Sequence, residues 1–112
     1  MPTLKQIQTE AYSNAVKKGF WDNPDILRKL ALVHSECSEA IEVWRASIID
    51  VELTLTRLHP ISGKPEGFPA ELADIIIRVA DLAEHLNIDL DEAVTRKLHY
   101  NQTRSHMHGK RA

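Results

Sequence analysis

Glycine and proline occupy only a few short windows of this 112-residue chain: Pro2, Gly19 to Pro24, Pro60 to Pro69, and Gly109. The stretches between them are free to propagate helix, because no missing proline N–H or unrestrained glycine backbone interrupts them. Apolar residues in those stretches recur mostly at three- and four-residue intervals, the spacing of one face of an α-helix. The expectation is a single all-α domain over 1–112, four-helix-bundle-like.

The segments follow from this punctuation. From Thr3 to Lys18, Leu4, Ile7, Ala11, Ala15 and Val16 fall at helical spacing, and Gly19 is placed to end the helix in a left-handed turn. Asn23 as N-cap, Pro24 in the first turn and Asp25 at the positive end of the dipole open a second helix to at least Trp44. Leu30, Val33, Cys37, Ala40, Ile41 and Trp44 share one face of it, read as core. Pro69 opens a third helix that ends near Asn87, with Leu72, Ile75, Ile76, Val79, Leu82, Ala83 and Leu86 as its core arc. Asp89 with Glu92 three residues on is a capping box for a fourth, which runs to about Thr103 with Leu90, Ala93, Val94 and Leu98 inward. Between 46 and 68 two readings stay open, because Val51, Leu53 and Leu55 alternate like a strand while Val51, Leu55 and Leu58 fit a helix. His59-Pro60 and Ser62 to Gly67 read as loop. The segment from Arg104 to Ala112 reads as a basic, mobile tail.

Charge removes several functional classes. With 14 Lys and Arg against 16 Asp and Glu, for a net charge of −2, there is no electrostatic drive toward nucleic acid or an anionic membrane. The one cysteine, Cys37, has no partner for an internal disulfide. No apolar run approaches the ~20 residues of a membrane span or resembles a signal peptide, so a cytoplasmic protein is expected. The apolar arcs of helices two and three are wider than one small bundle hides, which predicts a homo-oligomer.

The chemistry concentrates in carboxylates. Glu36 and Glu39 are three apart on the second helix, and Glu71 and Asp74 are three apart on the third, so each pair projects from one side of its helix. Such a pair alone is ordinary solvated surface. Glu36, however, interrupts an apolar arc between Ala40 and Val43 and Leu32, and Glu71 borders the arc of its own helix. Four carboxylates converging at a core margin repel one another unless a cation compensates them. An oxygen-only set without Cys or His suits Mg²⁺, or Mn²⁺, rather than Zn²⁺. No histidine follows a Glu by three residues, so the di-iron bundle signature is absent, as is a Walker-type glycine loop. On the fourth helix Lys97, Asn101 and Arg104 share one face and offer donors to phosphate or base; the plainer reading is a solvated basic face. Trp21, beside a helix boundary, is a better candidate to stack on a base than Trp44, which lies on a core arc. His34 and Cys37 read as packing residues.

The segments Leu30-Ala-Leu-Val-His-Ser-Glu36-Cys-Ser-Glu39-Ala40 and Gly63-Lys-Pro-Glu-Gly-Phe-Pro-Ala-Glu71-Leu-Ala-Asp74, with Lys97 to Arg104 around Tyr100-Asn101, resemble the MazG-like family of all-α nucleoside triphosphate pyrophosphohydrolases. The match spans most of the chain, and its specific core is Glu-x-x-Glu followed by Glu-x-x-Asp. The resemblance implies an oligomeric helical bundle, a dimer or tetramer, with Mg²⁺ at the positions of Glu36, Glu39, Glu71 and Asp74. It implies cleavage of an NTP or dNTP to the monophosphate and pyrophosphate in nucleotide-pool house-cleaning. Glu39, at the margin of the cluster, is the expected base. The long spacing between the acidic pairs points to an insert at 46–68 that reshapes the nucleotide pocket or the subunit contact. The competing expectation is a non-catalytic helical oligomerisation or regulatory module whose acids are solvated surface.

Overall fold

A computed structural model describes residues 1–105 and 107 of the chain, so the tail expected from Arg104 lies largely outside the described residues. Four helices carry most of the structure: α1 (Leu4–Lys17), α2 (Ile26–Ser47), α3 (Phe68–His85) and α4 (Leu90–Gln102). None is long and apolar enough to cross a membrane. The helix ends show how locally the sequence decides them. Thr3 and Gln6 form a reciprocal capping box on α1, and Gly19 leaves the helix at φ 83°. Asp89 caps α4 by accepting from the Glu92 N–H at 3.2 Å. α2 differs from expectation by two residues. Its N-cap is Asp25, whose carboxylate accepts from the N–H groups of Leu27 and Arg28, while Asn23 and Pro24 stay outside the helix.

The 46–68 stretch is neither one helix nor one long strand. α2 ends at Ser47, a 3₁₀ turn spans Val51–Thr54, and an antiparallel hairpin pairs β1 (Arg57–Leu58) with β2 (Pro65–Glu66). Pro65 and Glu66 were expected in loop; Pro65 is tolerated because each strand of this ribbon is an edge. The hairpin returns to α3 through Gly67, which sits at φ 106°, where a Cβ would lie 2.1 Å from the Leu55 carbonyl oxygen. Only glycine fits there.

α3 is the hub. It packs on both α1 and α2, which scarcely touch each other, while α4 makes only slight contact with α1. The seams close on small residues: the buried apolar side chains among the described residues are Ala15, Ala40, Ala80 and Ala83. The expected core faces are therefore largely uncovered. On α2 the covered stripe is Lys29, Leu32, Val33, Glu36, Ala40, Val43 and Ser47, rotated from the predicted one, and Leu30, Cys37, Ile41 and Trp44 are exposed. Leu72, Ile76, Val79 and Leu86 on α3 are also exposed, as are Ala93, Val94 and Leu98 on α4. The physical reason is that a helical period locates an apolar stripe without identifying which element of the same chain covers it. The radius of gyration is 16.4 Å, against about 13 Å for a compact domain of this length.

Candidate metal centre

The rotation of α2 brings a carboxylate into its seam with α3. Glu36 lies one turn before Ala40 on the covered stripe and is only 8% exposed. Across the seam α3 presents Glu71 from its first turn and Asp74 from the next, so one carboxylate oxygen each from Glu36, Glu71 and Asp74 falls within 4.8 Å of the others. Glu39, one turn beyond Glu36, stands exposed at the margin.

Two observations separate this cluster from ordinary surface acids. First, Arg78 on α3 donates from Nε to Glu36 Oε1 at 2.7 Å, while Glu36 Oε2 is buried with no hydrogen-bond partner. A buried carboxylate oxygen without a donor is costly, and a cation would satisfy it. Second, the carboxyls pull one another's proton affinities apart. Burial pushes Glu36 upward, but its hydrogen bond with Arg78 and the Arg78 charge outweigh this and hold it below the ordinary value. The Glu36 carboxylate beside it raises Glu39. Burial raises Glu71, helped by the neighbouring Asp74 and Glu36 charges. Burial likewise raises Asp74, with the Glu36 charge adding to it. Without a cation, Glu39, Glu71 and Asp74 each bind a proton more tightly than an ordinary carboxyl does.

Two grooves flank the acids. One, of about 230 Å³, lies between α1, α2 and α3 and is lined by Asn14, Phe20, Glu36, Asp74, Arg78 and Asp81 among others. The other, of about 400 Å³, is lined by Ser38, Glu39, Glu42, Lys64, Glu71 and Asp74. The two cations at the cluster are thus Arg78, propped with its guanidinium 5.7 Å from the Phe20 ring, and Lys64 from the β1–β2 loop. Neither was singled out from sequence as part of the site. Arg78 had a signal, since it follows Asp74 by one helical turn. Lys64 sits in a loop whose geometry no periodicity reveals.

The other candidates are placed elsewhere. Lys97 and Asn101 lie on α4, and Arg104, expected on the same face, falls beyond its end at Gln102; none of the three lines either groove. Lys97 and Arg104 each stand over the Tyr100 ring, at 5.5 and 5.6 Å. Trp21 is used within the chain: it stacks on His85 at 3.8 Å, donates to Asp81 Oδ1 at 2.7 Å and has Lys29 Nζ 4.6 Å from its ring. The Tyr12 hydroxyl meets His85 Nδ1 at 3.1 Å in the same cluster. Trp44 is half exposed and tilts against Phe68 at 5.1 Å.

No protein-family model, curated protein or solved structure matches this chain.

Proposed function

We propose that this chain is a Mg²⁺-dependent nucleoside triphosphate pyrophosphohydrolase of the MazG-like kind, with Mn²⁺ able to replace Mg²⁺, and that it works as a homo-oligomer. The observation that carries the reading is the buried, partnerless Oε2 of Glu36 beside the carboxylates of Glu71 and Asp74. The donor set fits a hard cation: all oxygen, drawn from two helices, with no thiolate or imidazole.

Glu36, Glu71 and Asp74 hold the ion, and Arg78 fixes the orientation of Glu36 through its free edge, as a partner in the outer shell of a metal site does. When bound, the ion neutralises phosphate charge and acidifies water. Glu39 is suited to accept the proton of the attacking water: it is solvent-accessible, and its raised proton affinity makes it a stronger base than an ordinary glutamate. Attack of that water on phosphorus breaks a phosphoanhydride bond and releases pyrophosphate and the monophosphate.

Oligomerisation is supported by surface. Leu30, Ile41 and Trp44 on α2 and Leu72, Ile76 and Val79 on α3 stand exposed, apolar surface of the kind that association covers. A role for Lys97, Asn101 and Arg104 at the acids would require a second copy, because none of them lines either groove of its own chain.

Pyrophosphate release from a panel of NTPs and dNTPs, with and without Mg²⁺, tests the activity. Mg²⁺-dependent release from at least one of them is expected. Release from none would overturn the enzyme reading and favour a helical oligomerisation module. Light scattering tests association, with a mass of at least twice 12.7 kDa expected and a monomer at micromolar concentration contradicting it.

A further inference from the structure

We propose that Lys64, carried over the acidic centre by the β1–β2 hairpin, is the cation that grips the polyphosphate of the substrate; this rests on the pyrophosphohydrolase reading above.

Lys64 shares the 400 Å³ groove with Glu39, Glu71 and Asp74, yet among the described residues its ammonium forms no ion pair. Its charge is nevertheless felt at three of the acids, where it favours the ionised forms of Glu36, Glu71 and Asp74. It is close enough to act on the centre and is not consumed by it. Arg78 is in the opposite situation, because its Nε is bonded to the buried Glu36.

Charge balance gives Lys64 its purpose. One divalent ion and Arg78 leave four ionised carboxylates one charge short of neutral, and an incoming triphosphate adds several more negative charges. A further cation on the open side of the site is required, and α4 supplies none to this groove within the chain. Lys64 is there, and three oxyanion-seeking donors on a flexible stem suit a phosphate whose position shifts during bond cleavage.

The hairpin holds the base of this stem in place. The Lys64 carbonyl accepts from the His59 N–H at 2.8 Å, and the Lys64 N–H donates to Ser62 Oγ at 3.2 Å. Below, Arg57 pairs with Asp50 at 3.5 Å and Glu52 at 3.9 Å, and Gly67 fixes the return to α3. The 46–68 segment thus acts as an arm that presents one cation to the centre.

Calorimetric titration of the full chain with Mn²⁺ alone, then with inorganic tripolyphosphate at saturating Mn²⁺, tests this on wild type, Lys64→Met and Lys64→Arg. Tripolyphosphate lacks base and sugar, so it isolates the phosphate contact. Lys64→Met should weaken tripolyphosphate binding about 10-fold or more, with Mn²⁺ affinity equal or tighter, while Lys64→Arg retains most of the binding. Its melting temperature should stay near wild type, since the side chain is exposed. Binding by Lys64→Met within two-fold of a wild type that does bind would overturn the inference and leave the enzyme reading standing. A wild type that binds no tripolyphosphate would overturn both.

Discussion

α3 makes two seams, and both bury polar side chains, but they treat them differently. Along α1, partners are found within the chain. Gln8 is only 2% exposed, donates to the Ile88 carbonyl at 2.7 Å and accepts from the Leu90 N–H at 3.1 Å. Tyr12 meets His85, and Trp21 meets Asp81. Along α2, Glu36 keeps one oxygen without a partner, and Glu71 and Asp74 hold their protons more tightly than free carboxyls do. The same helix thus has a closed structural seam and an open one. Burial alone does not single out the α2 seam; a buried carboxylate oxygen without a partner, beside two further carboxylates, does.

The contrast predicts opposite mutational signatures. The largest effect belongs to the open seam: Glu71→Gln or Asp74→Asn, made singly, should cut turnover at least about 1,000-fold, as expected for loss of a ligand at a charge-stabilising centre. Steady-state kinetics would reveal the failure as activity within a few-fold of wild type. In the closed seam, Gln8→Ala strands the Ile88 carbonyl and the Leu90 N–H and should cost about 1–3 kcal/mol in thermal or urea unfolding. Metal affinity should not change.

The pH dependence sharpens the comparison further. A carboxyl that binds its proton more tightly in the folded state stabilises the fold in acid, and that stability is lost as pH rises through its raised value. Glu71 and Asp74 belong to this class, while Glu36 runs the other way. Without metal, the Glu71→Gln/Asp74→Asn double variant should therefore gain more stability over wild type at pH 7 than at pH 4. Melting curves at the two values check it, and an equal difference at both would contradict it. The smallest effect is Trp21→Phe, which loses the bond to Asp81 and should cost about 1 kcal/mol. Kinetics should be unaltered; a large rise in KM would instead return Trp21 to a base-stacking role.

Much of this was legible in the sequence because it is local. Gly19 and Asp89 act on their own helix ends, and the acidic pairs sit where three-residue spacing on one helix puts them. Glu36 stood out because it breaks an apolar arc. What escaped is non-local. Leu30, Ile41 and Trp44 form as good an apolar stripe as the one α3 covers, and only packing chooses between them. The hairpin depends on a contact between Gly67 and Leu55, twelve residues apart, which leaves no periodic trace. Lys64 enters the site only through that hairpin.

Divalent-ion binding by the metal-free protein tests the central claim most directly. Titration with Mg²⁺ or Mn²⁺ should raise the melting temperature of wild type in a saturable way, since a ligand selective for the folded state stabilises it by mass action. Asp74→Asn should abolish the rise. A wild type whose melting temperature is indifferent to millimolar Mg²⁺ and Mn²⁺, or an Asp74→Asn variant that responds equally, would show that the α2–α3 carboxylates are not a metal centre.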